Sequence, residues 1–139
     1  MLNEAIKEVS DFSYRLVPYS ETKTMVIRCS GFISLRDFLR LLRSLSIFDL
    51  GKEKLNQLFD FTNTDLSDIS VSQFEIVQAY MEKIMGQHPP VKKIALYSND
   101  PVAYSRVLVF RGMCYGTRLP EIQLFNNIVE AKHWLASTD

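Results

Sequence analysis

The sequence predicts an α/β domain: one mixed, mostly parallel five-stranded sheet with an N-terminal β-hairpin and about four packing helices. Three observations predict it. Two short runs rich in β-branched and aromatic residues open the chain, with only a few polar residues between them. Apolar residues then recur at helical spacing in several later segments. Strand-like runs separate those segments, so strands and helices alternate, which implies right-handed crossovers and parallel pairing.

The elements follow in order. Residues 12–18 (FSYRLVP) and 23–29 (KTMVIRC) read as strands, and Tyr19-Ser20-Glu21-Thr22 joins them as an antiparallel hairpin. Leu35, Phe38, Leu39, Leu42 and Leu45 form the stripe of a first helix, with Arg36, Arg40 and Arg43 on its other face. Ser34 with Asp37 three residues on resembles a capping box. Residues 55–61 (LNQLFDF) read as a strand ending near Asp60. A second helix over about 70–85 carries the stripe Phe74, Val77, Met81 and Ile84, and Ser72 with Glu75 fits a capping box. Gly86 and Pro89-Pro90 end it. Residues 91–97 (VKKIALY) form the fourth strand. Asn99-Asp100-Pro101 supplies a cap and a first-turn proline for a helix over about 101–112. Gly112 and Gly116 suit left-handed angles at its end. Residues 121–125 (EIQLF) are the last strand. Asn127 caps a terminal helix whose Ala131, Trp134 and Leu135 pack inward.

The chain has 139 residues, which fits one domain with one core. Lys+Arg and Asp+Glu are both 16, so no net charge draws the chain to nucleic acid or an anionic membrane. No 18-residue apolar run spans a bilayer. The opening MLNEAIKEVSDF lacks the basic and apolar regions of a secretory signal, so a cytoplasmic location is expected. Cys29 and Cys114 have no zinc or redox spacing, and Cys29 lies in an apolar run that favours a buried thiol. Cys114, read as a loop residue, with His88 is the one nucleophile–base pairing to check.

The stretch FDFTNTDLSDISVSQFE gathers Asp60, Asp65 and Asp68 among hydroxyl residues. Asp and Ser in this pattern supply turns, helix caps and favourable dipole contacts. The same residues offer two sharper readings: a cation held by the three aspartates, or a phosphate on Ser67 or Ser70 at a helix N-terminus. No EF-hand glycine or closing glutamate is present. An acid at the C-terminal end of a parallel strand stands where α/β sheets bind ligands, which singles out Asp60. The loop FRGMCYGTRLP matches no phosphate-loop motif, yet Arg111 and Arg118 could together bind a carboxylate or phosphate.

The segments CSGFISLRDF, LNQLFDFTNTD, VKKIALYSNDP and IQLFNNIVEAKHWL together resemble the anti-sigma-factor-antagonist-like (STAS-like, SpoIIAA-like) domains, especially small stand-alone bacterial members. The resemblance spans nearly the whole chain. It rests on the hairpin and the turn before the first helix, on a strand ending in Asp, on a K-x-A-hydrophobic strand, and on a closing helix of the E-A-x-x-W-L kind. It implies a small mixed sheet with packed helices and a non-enzymatic regulatory or protein-interaction role, in some members small-ligand binding. In sporulation-type antagonists a serine at the start of the helix after the third strand is phosphorylated. After Asp60 this chain has Phe61, Thr62 and Asn63, so the D-S-[ST]-G-like signature is absent, and a module without the phosphoserine switch is expected.

The reading is therefore a non-catalytic interaction module with no cofactor and no bound metal. Its candidate ligand- or partner-binding residues are Asp60, Asp65, Ser67, Ser70, Arg111 and Arg118. Its partner is a protein or a small ligand rather than nucleic acid. An exposed apolar patch beside the helix after Asp60 would mark a protein partner. An enclosed pocket lined by Phe, Tyr and Met would instead mark a carrier of an apolar or amphipathic ligand. An enzyme would need Asp60 close to the Arg111/Arg118 loop. Homodimerisation through a helix face or edge strand is compatible with the hairpin's unpaired edge.

Overall fold

The structure is a computed structural model that describes residues 11–19, 21–48, 55–85, 91–117 and 119–137. Five strands form one sheet in the unbroken order β1 (Ser13–Tyr19), β2 (Thr24–Phe32), β3 (Leu55–Asp65), β4 (Val91–Tyr97) and β5 (Glu121–Phe125). The first pair is antiparallel and the other three are parallel, as the alternation of strands and helices requires. The helices are α1 (Leu35–Phe48), α2 (Val71–Met85), α3 (Pro101–Cys114) and α4 (Ile128–Ala136).

Crossovers of one hand that step in one direction leave their helices on one face of the sheet. That face holds the main core. Ile27, Phe59, Ile94 and Leu96 from the strands pack against Phe38 and Leu41 of α1, Phe74 and Val77 of α2, and Val107 and Phe110 of α3. Aromatic pairs pack within and between the layers: Phe74 with Phe110 at 5.5 Å across α2 and α3, Phe59 with Phe61 at 6.0 Å along β3, and Phe38 with Phe61 at 6.2 Å from α1 to the sheet. On the opposite face, α4 lays Ala131 and Leu135 over Val26, Leu58 and Ala95.

Local chemistry sets the ends of the helices. Ser34 Oγ accepts from the Asp37 amide, and the Asp37 carboxylate accepts from the Ser34 amide, so the first capping box forms. Asp100 caps α3 by accepting from Ala103 N, with Pro101 in the first turn, and Asn127 caps α4. The second box moves. Ser70 and Gln73 close it, with Ser70 N donating to Gln73 Oε1 and Gln73 N donating to Ser70 Oγ. Ser72, the expected cap, already lies inside α2. Gly116 takes φ +80, but Gly112 sits within α3 and needs no special angle. Gly86, Pro89 and Pro90 lie outside the described residues.

Two bulges shape the sheet. In β4 three residue steps from Val91 to Ile94 match two in β3, and Val91 and Ile94 both face the main core. The irregularity turns Lys93 onto the α4 side. There its Nζ donates to Trp134 O (2.9 Å), Ser137 O (3.0 Å) and Ser137 Oγ (2.6 Å), and lies 5.0 Å from the centre of the Trp134 ring. Asn56 Nδ2 donates to Leu135 O at 3.0 Å beside it. A cation at a helix C-terminus meets the unsatisfied carbonyls and the negative end of the dipole.

Two stability predictions follow from this architecture. Lys93→Met keeps the stem but strands the carbonyls, so a loss of about 2 kcal/mol is expected in urea unfolding. Gly31 holds φ +96, and a Cβ there would stand 2.3 Å from Asp11 O. Gly31→Ala is expected to cost about 2 kcal/mol or more, read as a fall in the same unfolding midpoint.

Candidate functional site

β3 does not end at Asp60. It runs to Asp65 through the second bulge, where Asp60 to Asn63 on β3 matches Arg28 to Ser30 on β2. Asp60 is therefore mid-strand, not at a strand end as the sequence suggested. Its neighbour two residues back, Leu58, is covered by α4, which places Asp60 on the α4 side of the sheet. Asp60 Oδ1 accepts from Thr62 N at 2.9 Å and from the Thr62 hydroxyl. The carboxylate thereby satisfies an amide at the bulge.

Asp65 lies past the bulge, exposed, with Oδ1 accepting from Ser67 N at 2.9 Å. Hydrogen bonding from Ser67, helped by the nearby Arg106 charge, holds its carboxyl below the usual carboxylate range. Ser67 and Asp68 are exposed turn residues, and Ser70 Oγ is the α2 cap and also lies 3.1 Å from Ser72 Oγ. Asp65, Ser67 and Ser70 thus share one rim. The bulge separates Asp60 from them along β3. Among the described residues no three His, Cys, Asp or Glu side chains are placed to hold a metal ion.

Arg111 is committed elsewhere. Its Nε donates to Ile122 O at 3.2 Å and its Nη2 to Gln123 Oε1 at 3.0 Å, stapling the end of α3 to β5. All of β4 stands between the strand of Asp60 and the strand Arg111 grips. Arg118 and His88 lie outside the described residues. Cys114 is the buried last residue of α3 rather than a loop residue, because the helix runs past Gly112.

Val102, which lines a depression with Asp65 and Ser67, also lines a groove that no sequence motif marks. Val71 and Phe74 of α2 face Pro101, Val102, Ser105, Arg106 and Val109 of α3 across about 530 Å³ open to solvent. Val71, Val102 and Val109 are 55%, 59% and 43% exposed. Arg106 donates to Ile69 O at 2.6 Å, while its buried Nε has no hydrogen-bond partner among the described residues. The one available signal was α3 itself. Val102, Leu108 and Val109 lie off the Ala103–Val107–Phe110 stripe and are surplus to the core.

These features define a mixed α/β sheet domain with three crossover helices on one face and a terminal helix on the other, the SpoIIAA-like fold. A crystal structure of an uncharacterized protein from the DUF3478 family with a SpoIIAA-like fold, from Shewanella loihica PV-4, matches it with TM-score 0.56. The match is 14% identical and covers 92% of this chain and 96% of that one. At that identity the likeness shows the fold alone. No protein-family model matches the chain, and no curated protein does. No helix among the described residues is long and apolar enough to cross a membrane.

The two thiols provide a test of this packing. Burial, reinforced by Asp60, pushes Cys29 up to about 12, and burial with Glu82 nearby does the same for Cys114. At pH 8 the folded chain then holds thiolate on the order of one part in ten thousand at each site. A thiol reagent is expected to label neither cysteine until denaturant is added. Both folded values lie above the ordinary value of 9.0, so the thiols bind protons more tightly when folded. This contribution to stability is complete below pH 9 and is lost as pH rises toward 12, visible as a falling melting temperature.

Proposed function

We propose that the chain is a non-catalytic regulatory module that binds a protein partner through the α2/α3 groove and its Asp65–Ser70 rim. The carrying observation is the groove: three half-exposed valines, placed beside the helix that follows β3, with no role in the core. Apolar side chains grouped in the open are characteristic of interaction surfaces. The SpoIIAA-like fold supports a STAS-like role of this kind, and the groove's open form favours a protein over an enclosed small ligand. Asp65, Ser67 and Ser70 supply a polar, partly anionic rim, and Ser70 serves as a structural cap rather than as a switch.

The test is affinity capture with the tagged chain as bait, the bound protein being identified by mass spectrometry and its affinity measured. Val71→Asp and Val102→Asp alter exposed side chains, so the melting temperature should hold. Partner affinity is expected to fall about tenfold or more, as for loss of an apolar anchor. Unchanged affinity in the double variant refutes the groove reading. A co-purified apolar small molecule that leaves the chain when Val102 is changed would favour the carrier reading instead.

A further inference from the structure

The α4 side of the sheet is only partly covered. α4 begins beside Phe125 and Tyr97 and ends over Asn56 and Lys93, a path from the C-terminal end of β5 toward the starts of β3 and β4. It leaves open the corner formed by the first half of β1 and the later parts of β2 and β3. The register makes this corner a ladder of like pairs: Val17 beside Val26, Arg15 beside Arg28, and Ser13 beside Ser30. The valines pack with the α4 cluster, while both arginines and both serines are exposed.

The arginine pair runs against ordinary sheet design. Like charges directly opposite each other on antiparallel strands destabilise the pairing. Neither guanidinium makes an ion pair among the described residues. Asp60, in register with Arg28 on the next strand, spends Oδ1 on Thr62 and leaves Oδ2 without a hydrogen bond among the described residues. Arg15, Arg28, Asp60, Ser13, Ser30 and Thr62 together line an open depression of about 580 Å³. That size suits a small molecule.

We infer that this corner binds a small hydroxylated phosphate monoester. Two guanidinium groups on neighbouring strands, about 4.8 Å apart at the backbone, lie within reach of one tetrahedral anion, which each can meet with an N–H fork. The serine pair adds two hydroxyl donors on the next rung. Asp60 stands beyond Arg28, one strand further from Arg15, so the anion sits over the arginine pair and away from the carboxylate. Oδ2 is then positioned to accept from a hydroxyl on the rest of the ligand. The site lies on the opposite face of the sheet from the α2/α3 groove, and its existence does not depend on that groove having a partner.

Titration calorimetry with glycerol 3-phosphate, inorganic phosphate and glycerol as probes tests the assignment, with amide NMR shifts locating the site. Glycerol 3-phosphate is expected to bind more tightly than inorganic phosphate, and glycerol alone not to bind. Shifts should centre on Ser13, Arg15, Arg28 and Ser30. Arg15→Ala and Arg28→Ala should each weaken binding about tenfold or more without lowering the melting temperature. Arg28→Lys keeps the charge and loses the fork, so it should weaken binding as well. Asp60→Asn should abolish the preference for the ester over inorganic phosphate. No binding of either phosphate at millimolar concentration, binding that survives both alanine changes, or shifts confined to other faces overturns the inference. So does binding only of acidic peptides.

Discussion

The buried ammonium of Lys93 fixes the terminal helix, and the arrangement of the second sheet face depends on it. A lysine only 3% exposed is tolerable because its three donors meet the last carbonyls of α4 and the Ser137 hydroxyl. Asn56 adds a second hold at Leu135 O. With its C-terminus pinned over β3 and β4 and its N-terminus capped next to β5, α4 has one path across the sheet. That path lets Ala131 settle against the small Ala95, both fully buried. It also decides which pairs on β1 and β2 are roofed and which meet solvent.

The two faces consequently do different work. Three helices bury one face of the sheet under a Phe-rich core, which supplies most of the apolar burial that drives folding. The other face is half roofed, and its open corner carries charge where a sheet would ordinarily alternate toward the solvent with unpaired mixed signs. The free apolar surface appears on the helical layer instead, where the N-terminal turns of α2 and α3 splay around Val71 and Val102.

The parts of the fold legible in sequence were those with local causes. Asp100-Pro101, Asn127 and the Ser34/Asp37 box have fixed spacing and one use, and all appear where expected. The K-x-A strand and the E-A-x-x-W-L helix were legible as motifs, and the structure explains why they occur together: Lys93 meets Trp134, and Ala95 shares a cluster with Ala131. Less was legible at the site. Thr62-Asn63-Thr64-Asp65 has turn composition, so β3 seemed to stop early, yet pairing with β2 overrides that preference. Ser70/Gln73 and Ser72/Glu75 are overlapping patterns, and only the backbone path separates them. The groove was hidden because apolar residues surround α3, which leaves no one-sided stripe to mark exposure. The arginine ladder was hidden because register between β1 and β2 is not a local property of either strand.

The β3 bulge resolves a conflict between these two regions. Before it, even-numbered residues face α4, as Leu58 and Asp60 do. A strand that kept this alternation would turn Thr64 outward and carry the chain away from the helical layer. One extra residue reverses the parity, so Asn63 pairs with Ser30 on the open side and Thr64 turns inward beneath α3. Leu66 and Ile69 then reach the core, and α2 starts directly against α3. The reversal buries the Thr64 hydroxyl without a hydrogen-bond partner among the described residues, an unfavourable term that a plain turn sequence would avoid. The strand accepts it because the shift keeps Asn63 beside Asp60 at the open corner while Leu66 and Ile69 reach the core. A single irregularity in β3 therefore allows one strand to serve opposite faces of the sheet.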